Sequence, residues 1–245
     1  MIYILLPCYN EYKNLVPLIK KINLIHFNTA TKINILMVND GSTDETHKKI
    51  KFLKKISKNK IIYLNHKANF GLNIALLNGF KKILDLGKKE DVVITLDSDN
   101  THPVNLIPKM HSLLKFKNFD IAIASRFQKG SKVKGLSLFR TFLSIAARIV
   151  FRLVINISNV NDYTCNYRAY KFNVLKKSKL INIKFFSNKD FSIASDLLIN
   201  INKNIKNINV CEIPLILRYD NKIGPSKMSV GKNILKTFIL IFKNL

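Results

Sequence analysis

The chain has 245 residues, 47% of them hydrophobic, and no Gly-, Pro- or Ser-rich linker or internal repeat divides it. These features predict one large α/β core and exclude a repeat or low-complexity protein. The 41 basic residues outnumber the 15 acidic ones and give a formal charge of +26. This charge indicates a general bias towards Lys, Ile and Asn, or an anionic partner such as a membrane surface, a nucleic acid or a phosphorylated substrate.

The apolar pattern of the first half predicts strands that alternate with helices. The predicted strands cover 2–6, 33–38, 60–64, 92–96 and 121–125, and the predicted helices cover 10–26, 43–56, 72–86 and 106–117. Such alternation is typical of a doubly wound, mostly parallel sheet. No apolar run reaches the ~18–20 residues that span a bilayer, and the pattern predicts no signal peptide. Three cysteines without metal-binding spacing fit a reducing cytosol.

The second half is less regular. It predicts a long helix over 136–157, strands over 167–172 and 210–219, and helices over 190–202 and 232–243. In the last helix, Lys232, Lys236 and Lys243 lie on one side, opposite a broad apolar face. This pattern fits either a helix packed on the core or an interfacial helix on anionic lipid, and segment 136–157 shares it.

Two acidic clusters follow two of the predicted strands. Asp40 and Asp44 come after the strand over 33–38, and Asp97 and Asp99 come after the strand over 92–96. Because a parallel sheet binds ligands outside the carboxyl ends of its strands, these carboxylates indicate a nucleotide and a divalent metal. Asp97 and Asp99 are the candidate metal ligands. Asp40 is either a contact of the nucleobase or ribose, or a turn and cap residue.

Arginine is confined to the second half of the chain. All six arginines follow the second acidic cluster, and residues 121–161 contain seven basic residues and no carboxylate. In a Lys-rich chain this distribution indicates two-pronged recognition of phosphate, which Lys does not supply, or else an accident of codon usage.

Several motifs together resemble a known family. They are Pro7-x-Tyr9-Asn10-Glu11, the run from Val38 to Thr46, Asn69-x-Gly71 and Asp97-x-Asp99-x-x-His102-Pro103, followed by Ser125-Arg126-Phe127, the run from Asp162 to Arg168, Glu212-Ile213-Pro214 and Gly224-Pro225-Ser226-Lys227. The chain resembles the family 2 glycosyltransferases over residues 2 to about 230. The resemblance is strongest to dolichyl-phosphate mannosyltransferases and bacterial polyprenyl-phosphate glycosyltransferases.

The resemblance implies a GT-A-type fold and a set of site residues. Pro7, Tyr9, Glu11 and Asp40 would bind the nucleotide. Asp97, Asp99 and Thr101 would hold Mg²⁺ or Mn²⁺, although Gln is frequent where Thr101 stands. Arg126, Arg140 and Lys227 would bind phosphate of the donor or the acceptor, and Asp162 and Arg168 would shape the acceptor side. Two further departures from the family pattern are Asn39, where a second Asp is common, and Asn166, where Gly is frequent.

The resemblance also implies a domain division and a reaction. Residues 1–228 would form a single catalytic domain with an acceptor-side extension, and 229–245 a C-terminal amphipathic helix. The enzyme would transfer a sugar from GDP-mannose or a UDP-hexose, with inversion, to a polyprenyl phosphate on the cytoplasmic face of an anionic membrane, where a membrane-protein partner is also allowed.

The acceptor can be argued from charge. An acceptor phosphate is already ionised near pH 7, since its second pKa is about 6, and needs no strong base. The alternative is a family 2 enzyme that acts on a sugar hydroxyl of a surface glycan, which requires a carboxylate base. A nucleic-acid partner is not expected, because no RNA-binding aromatic motif is present and the acidic clusters repel a phosphate backbone.

Overall fold

A seven-stranded sheet forms the centre of the computed structural model, which describes residues 1–27, 30–178 and 193–221. The strands are β1 (Ile2–Cys8), β2 (Ile33–Asn39), β3 (Lys60–Asn65), β4 (Val92–Thr95), β5 (Ile121–Ser125), β6 (Lys132–Lys134), β7 (Arg168–Lys171), β8 (Val210–Pro214) and β9 (Ile216–Arg218). The helices are α1 (Tyr12–Asn23), α2 (Thr46–Ile56), α3 (Leu72–Leu86), α4 (Ile107–Phe116), α5 (Leu138–Val154), α6 (Phe172–Lys177) and α7 (Ile193–Asn204).

The strand order places β1 and β4 side by side in the middle of the sheet. The order is β3-β2-β1-β4-β7-β5-β8, with β6 and β9 in a separate parallel pair. β7 runs antiparallel to both of its neighbours, β4 and β5, and the other pairs of the large sheet are parallel. Because successive strands lie on either side of β1, the carboxyl ends of β1 and β4 border the crevice in which an open α/β sheet binds ligands.

Helices cover both faces of the sheet. One apolar cluster lies under α3, α6 and α7 and includes Leu5 and Phe80, and the other lies under α1, α2 and α4 and includes Ile4 and Leu15. Neighbouring residues of β1 therefore belong to different clusters. This two-sided burial explains why β1 and β2 are continuous apolar runs rather than alternating ones.

The predicted alternation of strands and helices over the first 125 residues is confirmed, and α3 and β5 have the predicted bounds. α2 begins at Thr46 rather than at residue 43, because the Asp44 carboxylate accepts a hydrogen bond from the Thr46 N–H (Oδ1–N 2.9 Å) before the first turn. The predicted strand over 210–219 is two strands. They are separated at Leu215, where the pairing partner of the chain changes from β5 to β6. The Leu215 N–H donates to the Ser125 carbonyl, and the Leu215 carbonyl accepts from the Lys132 N–H.

The remaining elements differ in length from the predicted ones or are new. β6 and α6 are not predicted, because a strand of three residues and a helix of six are too short to show a hydrophobic period. α7 corresponds to the predicted helix over 190–202 and is described from Ile193 onwards. The predicted helix over 232–243, and with it the proposed segment 229–245, lies outside the described residues.

Helix α5 makes little contact with the core. Of its 17 residues only Phe151 is buried, where it stacks on the ring of Tyr163. Six large apolar side chains of α5 are 43–89% exposed: Leu138, Phe139, Phe142, Ile145, Ile149 and Leu153. All but Phe139 fall within an arc of about 80° and form a continuous stripe, hereafter the α5 stripe. Exposed apolar patches of this kind mark interaction surfaces. No helix within the described ranges is long and apolar enough to cross a membrane.

Candidate active site

The loops that follow β1 and β4 meet at the carboxyl edge of the sheet. The Ser98 hydroxyl donates to the Pro7 carbonyl (2.8 Å), and the Asn100 side-chain amide donates to the Asn14 carbonyl (2.8 Å). These contacts bring the first and fourth sequence motifs together, as the topology requires.

Asp97 is the more accessible of the two candidate metal ligands, with a side chain that is 40% exposed. Its backbone N–H donates to His102 Nδ1 (3.1 Å), so this nitrogen carries no proton there. The 4.0 Å approach of the same nitrogen to Asp97 Oδ2 is therefore not a hydrogen-bonded ion pair. Asn166, just before β7, donates its amide to Asp97 Oδ1 (3.3 Å). The residue that departs from the family pattern thus contacts a candidate metal-binding carboxylate.

Asp99 is buried and held by Thr101. The Thr101 hydroxyl and N–H both donate to Asp99 Oδ1, at 2.7 and 3.2 Å. Thr101 is itself buried, and its hydroxyl proton is used in this contact. Thr101 therefore orients the Asp99 carboxylate through these two hydrogen bonds. Direct ligation of a metal by Thr101 stays a prediction.

The donor set at this edge fits Mg²⁺ or Mn²⁺ on a diphosphate. Within the described residues, no group of three or more His, Cys, Asp or Glu side chains could hold a metal ion by itself. Asp97 and Asp99 offer two hard carboxylate oxygens from one loop. Mg²⁺ characteristically binds through one or two carboxylates and completes its coordination with substrate phosphate and water.

Asp40 is buried and holds the loop between β3 and α3. Its Oδ1 accepts hydrogen bonds from His66 Nδ1 (2.7 Å) and the Phe70 N–H (3.0 Å), and its Oδ2 accepts from the Gly71 N–H (2.7 Å). Gly41 lies against the same loop, where a Cβ atom would come within 2.2 Å of the Ala68 backbone. The second and third sequence motifs therefore form one packed unit. A contact of Asp40 with a nucleotide stays a prediction.

The loop after β1 is bound to the loop after β2. The Asn10 N–H donates to the Ser42 hydroxyl (2.9 Å), and the Glu11 N–H donates to the Thr46 hydroxyl (2.8 Å). The buried Glu11 carboxylate accepts from the Asn14 amide (2.6 Å), which orients it at the start of α1. Tyr9 and Pro7 are both half-buried beside it. The four residues predicted to bind the nucleotide thus belong to adjoining loops.

Arg126 and Asp162 form a bidentate ion pair at the other side of the site. Arg126 follows β5 directly and donates from Nε to Asp162 Oδ2 (2.8 Å) and from Nη2 to Oδ1 (2.6 Å). Asp162 is fully buried, while the Arg126 side chain is 15% exposed. The Asp162 carboxylate also accepts from three backbone N–H groups, those of Arg126, Thr164 and Cys165.

The pairing fixes the charge of both groups. Burial alone would lower the pKa of Arg126, but the charge of Asp162 and its hydrogen bonds reverse this effect and raise the pKa above its ordinary value. Burial likewise would raise the pKa of Asp162, yet Arg126 holds it below the ordinary value. Asp162 is therefore an ionised acceptor whose lone pairs are taken up by fixed donors, which makes it a poor general base.

The other residues predicted to bind phosphate or to shape the acceptor side have different positions. Arg168 is fully buried and donates to the carbonyl oxygens of Asp162, Tyr163 and Ala194. Its guanidinium thus binds the backbone of the loop that carries Asp162, and its expected part in shaping the acceptor side stays a prediction. Arg140 lies in the first turn of α5, and Lys227 lies outside the described residues.

Tyr219 is a site residue that sequence reasoning missed. It follows β9, and burial raises its pKa to about 12, with Arg126 lowering it and Asp97 and Asp99 raising it further. Tyr219 therefore feels the charges of both sides of the site at once. No sequence pattern indicates this position, because it depends on the pairing of β9 with β6.

Comparison with known proteins identifies the family. The sequence model described as "Glycosyl transferase family 2" matches residues 3–179. A polyprenol monophosphomannose synthase of Mycolicibacterium smegmatis is 29% identical over 94% of this chain and 82% of its own length. A dolichol-phosphate mannosyltransferase of Pyrococcus furiosus is 30% identical over 98% of this chain and 62% of its own length. A UDP-N-acetylglucosamine–dolichyl-phosphate N-acetylglucosaminyltransferase of Methanococcus voltae is 25% identical over 99% and 94%.

Solved structures agree on the fold. Glucosyl-3-phosphoglycerate synthase from Mycobacterium tuberculosis, in complex with Mn²⁺ and UDP-glucose, has a TM-score of 0.63 at 15% identity and covers 98% of this chain and 78% of that one. Residues 1–349 of TarS from S. aureus give a TM-score of 0.61 at 15% identity, over 99% of this chain and 64% of that one. The predicted family and fold are thereby confirmed: the chain belongs to glycosyl transferase family 2 and is a glycosyltransferase with the GT-A fold.

Proposed function

We propose that this glycosyltransferase moves a sugar, with inversion, from a nucleotide-diphosphate sugar to the phosphate of a polyprenyl lipid of dolichyl type. The names of three similar proteins support this acceptor class, since each gives a polyprenol or dolichyl phosphate product or substrate. The observation on this chain that carries the proposal is the Arg126–Asp162 pair. It supplies a fixed cation and withdraws the nearby carboxylate from use as a base.

The donor binds at the carboxyl edge of β1, β2 and β4. The loops that carry Tyr9, Glu11 and Asp40 bind the nucleoside, and Asp97 and Asp99 face its diphosphate. Asp97 and Asp99 would hold Mg²⁺ or Mn²⁺, and the bound ion would supply positive charge to balance the leaving nucleotide. Asn166 and Thr101 keep the carboxylates in place through the contacts described above.

The acceptor phosphate attacks the anomeric carbon without a protein base. Its oxygen is ionised near pH 7, so the protein has to bring two phosphates together and hold them against their mutual repulsion. Arg126 suits this task, because Asp162 binds its Nε and Nη2 and leaves Nη1 without a hydrogen-bond partner among the described residues. Attack from the face opposite the nucleotide inverts the anomeric centre.

The α5 stripe holds the enzyme on the cytoplasmic face of an anionic membrane. Arg148 and Arg152 lie beside the stripe, and residues 121–161 contain no carboxylate that would oppose an anionic surface. Each basic residue near such a surface contributes about 1 kcal/mol, and buried apolar side chains add to this. A lipid-linked phosphate cannot leave the bilayer, so a docked enzyme meets its acceptor there.

The reaction is tested by transfer of label into lipid. The purified chain is incubated with Mg²⁺ or Mn²⁺, vesicles that contain a polyprenyl phosphate, and radiolabelled GDP-mannose, UDP-glucose or UDP-N-acetylglucosamine in turn. We expect one donor to yield label that extracts into organic solvent and is released by mild acid. Transfer only to a soluble glycan hydroxyl, with none to lipid from any donor, would refute the proposed acceptor and favour the alternative acceptor class.

Membrane docking is tested by co-sedimentation with anionic and neutral vesicles at low and high salt. Phe142→Glu should reduce binding to anionic vesicles by tenfold or more, since it places a charge where a phenyl ring enters the lipid. Phe116→Glu is the matched control, because Phe116 on α4 is 63% exposed and Phe142 is 66% exposed. Equal binding by both variants would remove α5 from the membrane contact.

A further inference from the structure

Glu212, on β8, binds the loop that carries Asp162. Its Oε1 accepts hydrogen bonds from two successive backbone N–H groups, those of Asn161 (2.6 Å) and Asp162 (2.7 Å). Its Oε2 accepts from the side-chain amides of Gln128 (3.0 Å) and Asn161 (3.4 Å). Both oxygens of the Glu212 carboxylate thus accept hydrogen bonds from neighbouring chain segments, which is a structural reason for a charged residue at this point.

The two segments that Glu212 joins are the two halves of the ion pair. Asp162 belongs to the loop bound at Oε1, and Gln128 lies two residues beyond Arg126 in the segment bound at Oε2. β5 and β8 are parallel neighbours, and Ile123 stands opposite Glu212 in their register. Glu212 therefore reaches from the adjacent strand to the backbone of Asp162 and to the side chain of Gln128, two residues beyond Arg126.

The same loop is also held from α5. Asn161 Oδ1 accepts hydrogen bonds from Arg148 Nη2 (3.2 Å) and Arg152 Nη1 (3.4 Å). Glu212 and α5 thus both bind this loop. Both sets of hydrogen bonds include a charged group, and those from the backbone N–H groups to Glu212 are the shorter ones, at 2.6 and 2.7 Å.

We propose that Glu212 is a positioning residue of the transfer reaction: by fixing the 161–162 backbone and the Gln128 segment, it holds Asp162 so that Arg126 presents its guanidinium to phosphate in one orientation. This inference rests on the proposed function only in that Arg126 contacts phosphate. A displacement of about 1 Å in a positioning group can cost about 100-fold in rate. Glu212→Ala should accordingly lower kcat by about 10- to 100-fold.

A double-mutant cycle separates positioning from a general loss of structure. The variants are Glu212→Ala, Arg126→Ala and the pair, assayed for transfer at saturating donor and acceptor. If Glu212 acts through Arg126, Glu212→Ala should change kcat by less than about twofold when Arg126 is already Ala, because coupled residues are not additive. A merely structural role would lower activity equally in both backgrounds, and that result would overturn the inference. Failure of the proposed function gives a different result. If Arg126→Ala alone has no effect on transfer, the phosphate role of Arg126 itself is refuted.

Two further variants of Glu212, with an amide or a shorter carboxylate, keep the test decisive if Glu212→Ala fails to fold. Glu212→Gln retains an acceptor oxygen at the same reach, and the amide of Gln128 can rotate to suit it, so it should keep at least about a third of the activity. Glu212→Asp keeps the charge but is one methylene shorter, and it should be slower than Glu212→Gln. Equal activity of both variants and the wild type would also overturn the inference.

Asp120 offers a matched control at the opposite end of β5. Its carboxylate accepts from the Asn209 N–H (3.1 Å) and from Lys171 Nζ (3.2 Å), so it links β5, β7 and the segment before β8, as Glu212 links its own surroundings. Asp120→Ala should lower the melting temperature and leave kcat within about twofold of the wild type. A loss of kcat as large as that of Glu212→Ala would mean that any broken link between these strands impairs transfer.

Discussion

Asp162→Asn should destabilise the fold strongly, although it changes one oxygen into one nitrogen. The Asp162 carboxylate accepts five hydrogen bonds, three at Oδ1 and two at Oδ2, from Arg126 and the N–H groups of Thr164 and Cys165. An asparagine amide at this place turns an NH₂ group towards donors and removes the charge that balances a largely buried guanidinium. Breaking a buried ion pair from one side costs about 3–5 kcal/mol.

This loss of folding free energy can be measured by urea unfolding or by thermal unfolding. The chain contains no Trp, so circular dichroism rather than Trp fluorescence is the suitable signal. For a chain of this size, 3–5 kcal/mol corresponds to a melting temperature about 6–20 °C lower. Asp220→Asn is the control, because Asp220 makes a similar bidentate pair with Arg218 but on the surface, where such pairs contribute little. A melting temperature within 2 °C of the wild type for Asp162→Asn would refute the reasoning.

Three further results are expected. Asp97→Ala and Asp99→Ala should each lower transfer by about 10²–10³-fold with an unchanged circular dichroism spectrum, as the loss of a ligand to the diphosphate-bound metal implies; turnover near that of the wild type at saturating metal would contradict this. Arg140→Lys should impair transfer despite its unchanged charge if Arg140 clamps phosphate with two prongs, which steady-state kinetics over a range of acceptor concentrations can decide. The pKa of Asp162 in the folded protein is held below its unfolded value of about 4. The stability that Asp162 contributes is therefore complete above pH 4 and is lost as the pH falls towards the folded pKa. The urea midpoints at pH 5 and pH 3 should accordingly differ more for the wild type than for Asp162→Asn.

The nucleotide half of the fold could be read from the sequence because its signals are local. β1, β2 and β4 are buried apolar runs, the helices show their period, and the motifs stand at the strand ends where a parallel sheet collects them. The sequence cannot show how the loops use their polar groups. Both carboxylate oxygens of Asp40, for example, accept hydrogen bonds from the loop after β3. The donors are 26 or more positions away in the sequence, so these contacts depend on the fold.

The acceptor half is less readable because its contacts are distant in sequence and its charges are buried. Arg168 has the same chemistry as Arg126 in the sequence, yet one is enclosed by carbonyl oxygens and the other pairs with Asp162 near the surface. Composition and spacing contain no measure of burial at this level. The motif that contains Glu212 is visible in the sequence, but its hydrogen bonds to the loop of Asp162 depend on strand neighbours that only the sheet order supplies.

The reversed direction of β7 has a consequence for how such enzymes can diversify. The chain leaves the sheet at the end of β5 and re-enters it at β7 on the same edge, where the Ala124 N–H donates to the Tyr167 carbonyl (3.0 Å). Residues 126–166 are therefore a cassette whose two ends are neighbours, so its length and content can vary without shifting any strand of the nucleotide half. Under the proposed function, a chimaera that receives this cassette from another family member should keep the donor of the recipient enzyme and take the acceptor of the cassette's source, which offers protein engineers a way to redirect an existing enzyme.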